Sequence, residues 1–452
     1  MWLTIALLTT MFYVIEHRNG EVTSRDAFAL SGEDMAAKAA DGDPARRLAI
    51  PVLGLFGAGL LIRRAGYHLE LRSPLGWLLV GYLVWCCVSI LWSAEPRLTI
   101  KHVTVLVLCG LAILGIAKRL CLRDLWTIAL GVTAILVLNS LYFEVSTGRF
   151  RPWDSAYRFA GALHPNVQAP YCAVLAISAA ATYRYVQRAH LLLGLLCVAA
   201  IVLLVLTKSR TACAALLVGV GLYAWFAVTW RTRVLASTAA LTIVAGLLFG
   251  GALLRGGVGR EASNVALIGR HEESESLSGR VPFWTELLPH VQRHAIFGHG
   301  YRTFWSGERI GSFSQAFEWT VTDGHSAYLD TILDLGIIGC AIFLGVMLAG
   351  IGEALRRYSI VGDTEYGLVC SLLSTRVLTG ALESALITPT SFVTFIVACF
   401  VAHLGFCQAT DSELACPRNA EAPESTERSP TSVGHIVRAM FDAQKPTAPQ
   451  SS

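Results

Sequence analysis

The chain has 452 residues, of which 54% are hydrophobic and 15% are charged, and its formal net charge is +4. Soluble domains usually carry about 25% charged residues, so this composition excludes an ordinary soluble enzyme. The small, dispersed charge also lacks the basic patch that is typical of nucleic-acid binding. The cysteines lie mostly inside apolar runs and show neither a disulfide framework nor a zinc-site spacing.

Apolar runs that are long enough to cross about 30 Å of hydrocarbon recur along the chain. They are continuous rather than alternating, which predicts helices. We predict an all-α, polytopic membrane protein whose single membrane domain covers residues 1–407. It has about twelve spans, with ends uncertain by several residues: 2–15, 48–62, 75–92, 98–117, 125–146, 166–183, 190–206, 212–229, 233–254, 326–350, 364–382 and 390–407.

The distribution of Lys and Arg predicts the orientation of these spans. With a cytoplasmic N-terminus, the short inner loops hold twelve Lys or Arg residues and the short outer loops hold six. Both termini are therefore predicted to be cytoplasmic, and residues 255–325 form a large external loop between spans nine and ten. Residues 408–452 are rich in Pro, Ser, Thr, Ala and Glu, which predicts a disordered cytoplasmic tail.

A lone Asp-x-Asp motif, Asp41–Asp43, lies in the mixed-charge outer loop 16–47. In nucleotide-sugar glycosyltransferases such a motif holds a metal ion. Here it lies in a run rich in Ala, Asp and Gly, on the side of the membrane without nucleotide sugars. We interpret it as part of a solvated loop and predict no metal and no cofactor.

Two arginines are predicted to lie at the outer membrane boundary. Arg210 is in the short connection between spans seven and eight, and Arg280 opens an amphipathic segment. Each is either an interfacial anchor or a phosphate ligand, because a guanidinium matches phosphate oxygens. The segment after Arg280 is predicted to be a helix that lies along the membrane surface with its apolar side down, and that Pro289 kinks or ends early. Its apolar face is formed by Trp284, Leu287, Leu288 and Val291.

Two histidines of the predicted external loop 255–325 are candidates. His325 follows a Thr-Asp-Gly turn and opens span ten. Histidine suits proton transfer near neutral pH, although a lone histidine is more often structural. His299 lies between two glycines, and we interpret it as a structural residue in a tight turn.

Other polar residues lie in or beside the outer ends of spans. Asp330 and Asp334 are one turn apart in span ten, and Arg376 and Glu383 are seven residues apart in or beside span eleven. They either form an ion-pair network or contact a substrate.

Two outer segments add further candidates. Lys101 lies in the first turn of span four, and segment 158–170 carries Arg158, His164 and Asn166. Pro165 and Pro170 predict an extended rim here rather than the start of a helix.

Four segments, taken in this order and with this topology, resemble the O-antigen ligase family, which includes related exopolysaccharide and O-antigen polymerases. The resemblance covers roughly residues 75–405. The segments are SILWSAEPRLTIK (89–101), RFAGALHPNVQAP (158–170), TKSRTACAALLVG (207–219) and SGR…W…FGHGYRTF…HSAYLDTILDLGIIG (278–339).

This resemblance implies a glycosyltransferase of the bacterial inner membrane with its active site facing the periplasm. The donor would be a glycan on undecaprenyl diphosphate, and the acceptor a lipid A core or a growing polysaccharide. Arg210 and Arg280 match the arginines that hold the diphosphate, and His325 matches the histidine proposed as the base. Ser326 stands where the family usually has asparagine. We expect substrate contacts from Arg158, Asn166, Lys101, Asp334 and Glu383.

A flippase or transporter of lipid-linked oligosaccharide is the main alternative from another class, followed by a non-catalytic scaffold. Transporters place their sites near the bilayer midplane and often show repeated halves. In this chain the polar candidates gather at one face, and the two halves look unlike each other.

Overall fold

The computed structural model describes residues 1–17, 44–63, 67–227, 280–317 and 321–407. Predicted span nine, the Asp-x-Asp motif, most of loop 255–325 before Arg280 and the tail 408–452 lie outside these residues. In the described part of the chain the regular elements are helices, apart from one isolated bridge between Leu69 and Cys407.

The described residues contain thirteen α-helices, joined by short 3-10 and π turns. They are α1 (Trp2–Phe12), α2 (Pro44–Ile62), α3 (Pro74–Val88), α4 (Pro96–Arg119), α5 (Leu122–Ser146), α6 (Pro165–Tyr183), α7 (His190–Leu206), α8 (Arg210–Ala227), α9 (Arg280–Arg293), α10 (Gly307–Phe317), α11 (Ala327–Val361), α12 (Thr364–Gly380) and α13 (Phe392–Phe406).

Six of these helices, namely α2, α3, α4, α5, α7 and α11, are long and apolar enough to cross a membrane. Three shorter apolar helices begin at Trp2, Arg210 and Phe392. The predicted all-helical membrane fold is therefore confirmed for the described residues. The count of twelve spans and the periplasmic loop remain predictions.

Helix α12 lies in the interior of the bundle and is buried along almost its whole length. This position accommodates its polar residues, because neighbouring helices shield them from lipid. It packs against α8, where the Thr375 hydroxyl donates to the Ala215 carbonyl at 3.3 Å. Gly219, one turn later in α8, lies against Ser371, one turn earlier in α12. The two helices are therefore antiparallel, and the Arg210 end of α8 lies beside the Gly380 end of α12.

Helix α6 corrects the extended rim predicted for residues 158–170. The helix begins at Pro165, and the His164 side chain caps it by accepting from the Asn166 backbone N–H at 3.3 Å. Proline suits the first helical position, where its missing N–H has no helical partner anyway. Pro170 lies inside the helix and removes only the bond to the carbonyl four residues earlier, which the buried helix tolerates.

Helix α11 is interrupted at Gly336, where φ is +69° and ψ is −175°. The loop 296–300 inserts at this break, and its backbone N–H groups donate to the carbonyls of Leu333 and Asp334 at 2.9 and 2.8 Å. A Cβ on residue 336 would lie 2.0 Å from the Ile296 carbonyl oxygen, so only glycine fits. The break thus joins the loop between α9 and α10 to the helix that follows His325.

Candidate functional site

Helix α9 packs against the protein through its apolar face. Phe283 and Leu287 are fully buried in a cluster with Phe304, Phe313, Val321 and Leu333. The predicted surface helix is corrected accordingly, because this face contacts α10 and α11 instead of lying free along the membrane. Leu288 is half exposed, and the helix continues beyond Pro289 to Arg293 rather than ending early.

Arg280 opens α9 and pairs with Glu383, which follows α12. The Arg280 Nη2 lies 3.3 Å from the Glu383 Oε1, and the two side chains are only 13% and 12% exposed. Burial raises the pKa of Glu383 to about 7, while the charge of Arg280 acts in the opposite direction. Near neutral pH this carboxyl therefore exists in both protonation states, and its ionised form holds the guanidinium.

His325 lies in a turn that is fixed from two sides. Its φ is +52°, a left-handed conformation that is unusual for a residue with a side chain. The Asp330 carboxylate accepts from the Gly324 backbone N–H at 2.8 Å, and the Trp284 indole donates to the Gly324 carbonyl at 2.8 Å. The Asp323 carboxylate accepts from the His325 backbone N–H at 2.9 Å. Because Trp284 belongs to α9, this helix positions both Arg280 and the His325 turn.

The His325 imidazole is partly buried, with Nδ1 3.3 Å from the Asp323 Oδ1. Burial lowers the pKa of His325, Asp323 opposes this shift, and Arg280 adds to it. The imidazole is therefore mainly neutral at neutral pH. A proton on Nδ1 makes the contact with Asp323 a hydrogen bond and leaves the lone pair on Nε2, where a base needs it.

Ser326, at the position where the family usually has asparagine, caps α11. Its hydroxyl oxygen accepts from the Leu329 backbone N–H at 3.4 Å. In this chain the contact to the His325 imidazole comes instead from Asp323, two residues earlier.

A second region, formed by segment 155–166 and the turn between α7 and α8, carries Arg210. The Arg158 guanidinium donates to the Thr207 carbonyl at 2.9 Å and to the Asn166 side-chain oxygen at 2.7 Å. Lys208, in the same turn, donates to the Ser155 carbonyl. Arg210 is half-buried at the first position of α8. Within the described part of the chain its guanidinium makes no hydrogen bond or ion pair.

His164 lies between the two regions. Burial lowers the pKa of His164 to about 4, and the charges of Arg158, His325 and Arg280 lower it further while Asp323 opposes them. The Arg158 region and the Arg280–His325 region are therefore close enough to share an electrostatic environment. The sequence prediction named Arg158 and Asn166 as binding residues but not His164, whose available signal was its position just before Pro165.

Two predicted binding residues lie elsewhere. Asp334 is buried, and its carboxylate accepts from the Phe304 backbone N–H at 3.1 Å, so it supports the loop that enters the α11 break. Lys101 is exposed on α4, and its charge acts together with that of Arg302 on His102.

The polar residues of spans ten and eleven do not pair as one network. Asp330 accepts from the Trp305 indole at 2.8 Å and from the turn before His325. Arg376 is fully buried in α12, where it interacts with the charge of Glu383. His299 is buried, and its Nδ1 lies 2.9 Å from the Leu333 carbonyl, as expected for a structural residue.

Comparison with protein families gives one match. The model of a family described as O-Antigen ligase matches residues 195–344, a range that contains Arg210, Arg280 and His325. Comparison with curated proteins finds no match. This match over residues 195–344 confirms the resemblance to the O-antigen ligase family seen in the sequence.

Proposed function

We propose that the chain is a glycosyltransferase of the bacterial inner membrane that moves a glycan from undecaprenyl diphosphate to an acceptor hydroxyl at the periplasmic face. The observation that carries this proposal is the link between Arg280 and His325 through α9. Arg280 opens the helix, and Trp284, one turn later, binds the turn that carries His325. The family match over both residues supports the proposal.

In this proposal Arg210 and Arg280 bind the diphosphate of the donor. A lipid diphosphate leaves readily when its developing negative charge is stabilised, and arginines in a partly desolvated site supply that stabilisation. The Arg280–Glu383 pair allows Arg280 to leave its carboxylate partner when the diphosphate binds. Because the pKa of Glu383 lies at about 7, a bound diphosphate can take over the Arg280 guanidinium while Glu383 accepts a proton.

His325 is proposed as the general base for the acceptor. The acceptor hydroxyl attacks the anomeric carbon, and the bond from that carbon to the diphosphate oxygen breaks. The neutral imidazole takes the hydroxyl proton, and the configuration at the anomeric carbon inverts. Arg158, Asn166 and His164 border the same space and are proposed to contact the sugar next to the diphosphate. The acceptor is a lipid A core or a growing polysaccharide.

The proposal is tested by transfer from purified undecaprenyl-diphosphate-linked glycan in reconstituted membranes. His325→Ala and Arg280→Ala are each expected to lose at least about 100-fold in rate. Arg293→Ala is the matched control, because Arg293 is an exposed arginine in the last turn of the same helix. Full transfer by either site variant at normal membrane abundance would refute the proposal.

The same variants also separate a transferase from a flippase in cells. Loss of a transferase leaves the lipid-linked glycan accumulated on the periplasmic side, whereas loss of a flippase leaves it on the cytoplasmic side. Accumulation on the cytoplasmic side in the His325→Ala strain would favour the transporter alternative.

A further inference from the structure

A groove separate from the candidate site lies between α3, α4, α11 and α13. Its volume is about 240 Å³, and its walls are almost entirely apolar. Along α13 it extends from Thr394 to Phe406, which corresponds to about 18 Å of helix. Three of its four helices have the length and composition of membrane spans, so the groove lies at the depth of the hydrocarbon. Residues that form its walls include Leu83, Leu106, Phe343, Met347 and Phe395.

Cationic side chains meet at one end of this groove. The Arg302 guanidinium donates to the Ile387 carbonyl at 3.4 Å, and Ile387 itself lines the groove. The Arg46 guanidinium donates to the Thr390 hydroxyl at 2.8 Å, three residues further along the same segment. One helix and one loop thus place their guanidinium groups against segment 387–390 at the end of the groove.

Lys101 and His102 complete this end of the groove, on α4. The charges of Arg302, Lys101 and Arg46 all act on the His102 imidazole, so these groups lie close together. Four residues after His102, one helical turn along α4, Leu106 lines the groove. We call Arg46, Lys101 and Arg302 the cationic cluster. Asp334 also interacts with Arg302 and offsets part of its charge.

We propose that the groove binds a chain of an anionic phospholipid and that the cationic cluster binds its negatively charged headgroup at the phosphate. Guanidinium groups form strong charge-assisted bonds with phosphate, and three cationic side chains gather at this end of the groove, where Glu16 and Asp334 offset part of the charge of Arg46 and Arg302. An apolar groove at hydrocarbon depth accommodates an alkyl or prenyl chain. The apolar groove matches the apolar chain of such a lipid, and the cationic cluster at its end matches the charged headgroup.

The lipid site uses cationic groups other than those of the proposed diphosphate site. Its cationic groups come from α2, α4 and the loop before α10, and they contact Ile387 and Thr390. Arg280 instead contacts Glu383, and the His325 turn contacts Asp330. Binding of lipid in the groove therefore does not depend on the transfer reaction proposed above.

Gly110 offers a way to fill the groove without disturbing the helices. It lines the groove on α4, and a Cβ added there would meet no atom within 4 Å. Gly81 on the neighbouring α3 is the matched control, because its added Cβ also meets nothing within 4 Å and it does not line the groove. Both substitutions replace a glycine within a helix, so neither is expected to weaken helix formation.

The test is native mass spectrometry of the protein released from vesicles of phosphatidylglycerol and phosphatidylcholine. The wild type and Gly81→Phe are expected to retain phosphatidylglycerol in preference to phosphatidylcholine. Gly110→Phe should retain about tenfold less phosphatidylglycerol. The double variant Arg46→Gln/Arg302→Gln, which leaves the groove walls intact, should lose the preference for the anionic lipid by a similar factor.

Three outcomes would overturn the proposal. They are retention by Gly110→Phe equal to that of the wild type, an unchanged lipid preference in the double arginine variant, and complete displacement of the lipid by inorganic phosphate, which would indicate a simple anion site. Arg280→Ala is expected to retain lipid like the wild type. Failure of the lipid proposal and failure of the transferase proposal are therefore distinguishable.

Discussion

Arg280 and Arg210 belong to two regions that hold an arginine in different ways. Arg280 is paired with Glu383 and opens a helix whose apolar face is packed into an aromatic cluster. Arg210 begins α8 at a turn attached to segment 155–166, and in the described residues its guanidinium has no polar partner. One arginine is therefore held by a carboxylate, whereas the other has no such partner among the described residues.

The largest expected effect comes from removing the arginine that a carboxylate holds. Arg280→Ala should reduce the rate of transfer at least about 100-fold, because it removes a fixed cation and leaves Glu383 without its partner. Arg280→Lys should recover little of this rate, since an ammonium lacks the planar fork that binds two oxygens. Transfer rates at saturating donor measure the effect. Near-complete rescue by lysine would mean that only the charge matters at this position.

Arg210→Ala should have a smaller effect, of about 10- to 30-fold, and mainly on donor affinity. Because Arg210 makes no ion pair in the described residues, its removal leaves no buried carboxylate unpaired. The apparent KM for the donor should therefore rise more than kcat falls. An effect confined to kcat would contradict the idea that Arg210 captures the diphosphate.

Glu383→Gln should change how stability depends on pH. Burial raises the pKa of Glu383 from 4.5 to about 7 in the folded protein. The folded state therefore binds the proton more tightly than the unfolded chain, and stability falls as pH rises from about 4.5 to 7. The shift corresponds to roughly 3 kcal/mol at most. Thermal unfolding across this pH range should show the decline in the wild type, and the decline should be weaker in Glu383→Gln.

Trp284→Phe should lower kcat by about fivefold. The substitution keeps the aromatic ring on α9 but removes the indole N–H that binds the Gly324 carbonyl. The His325 turn then loses one of the two side-chain hydrogen bonds that hold the Gly324 backbone. The expected signature is a fall in kcat with little change in donor KM. A variant with unchanged kcat would show that Asp330 alone is enough to position the turn.

Asp323→Asn should produce the smallest effect, a shift in the pH profile. Burial lowers the pKa of His325, and Asp323 partly reverses this shift. Removing the negative charge should lower the pKa further, so the acidic limb of the rate profile should move to lower pH. The amide oxygen of asparagine can still accept from the His325 N–H. A shift toward higher pH would contradict the proposed role of His325 as the base.

The two regions also differ in how far the sequence predicted them. Arg210, Arg280 and His325 follow from the family resemblance, because short motifs carry them. The His164 link does not follow, since it depends on chain segments that are far apart in sequence. Pro165 and Pro170 led to the wrong prediction of an extended segment at 158–170. Each proline is accommodated in a helix that is stabilised by burial, and local sequence does not reveal that burial.

Asp334 illustrates the same limit at a single residue. The sequence prediction named it as a substrate contact, and the structure adds that its carboxylate accepts from the backbone of the loop that inserts at Gly336. The break at Gly336 depends on a close backbone approach from residues about 40 positions earlier. A hydrophobicity pattern predicts an uninterrupted span there, because it depends only on the apolar residues of the helix itself. It contains no information about a distant loop that inserts into the helix.

The central claim is that Arg210 and Arg280 bind one diphosphate, and a double-mutant cycle tests it most directly. The affinity for undecaprenyl diphosphate is measured for the wild type, Arg210→Ala, Arg280→Ala and the double variant. A shared diphosphate predicts a coupling energy of at least about 1 kcal/mol, so the double variant should depart several-fold from the product of the single effects. Single effects that multiply without any coupling would place the two arginines in independent sites and contradict the claim.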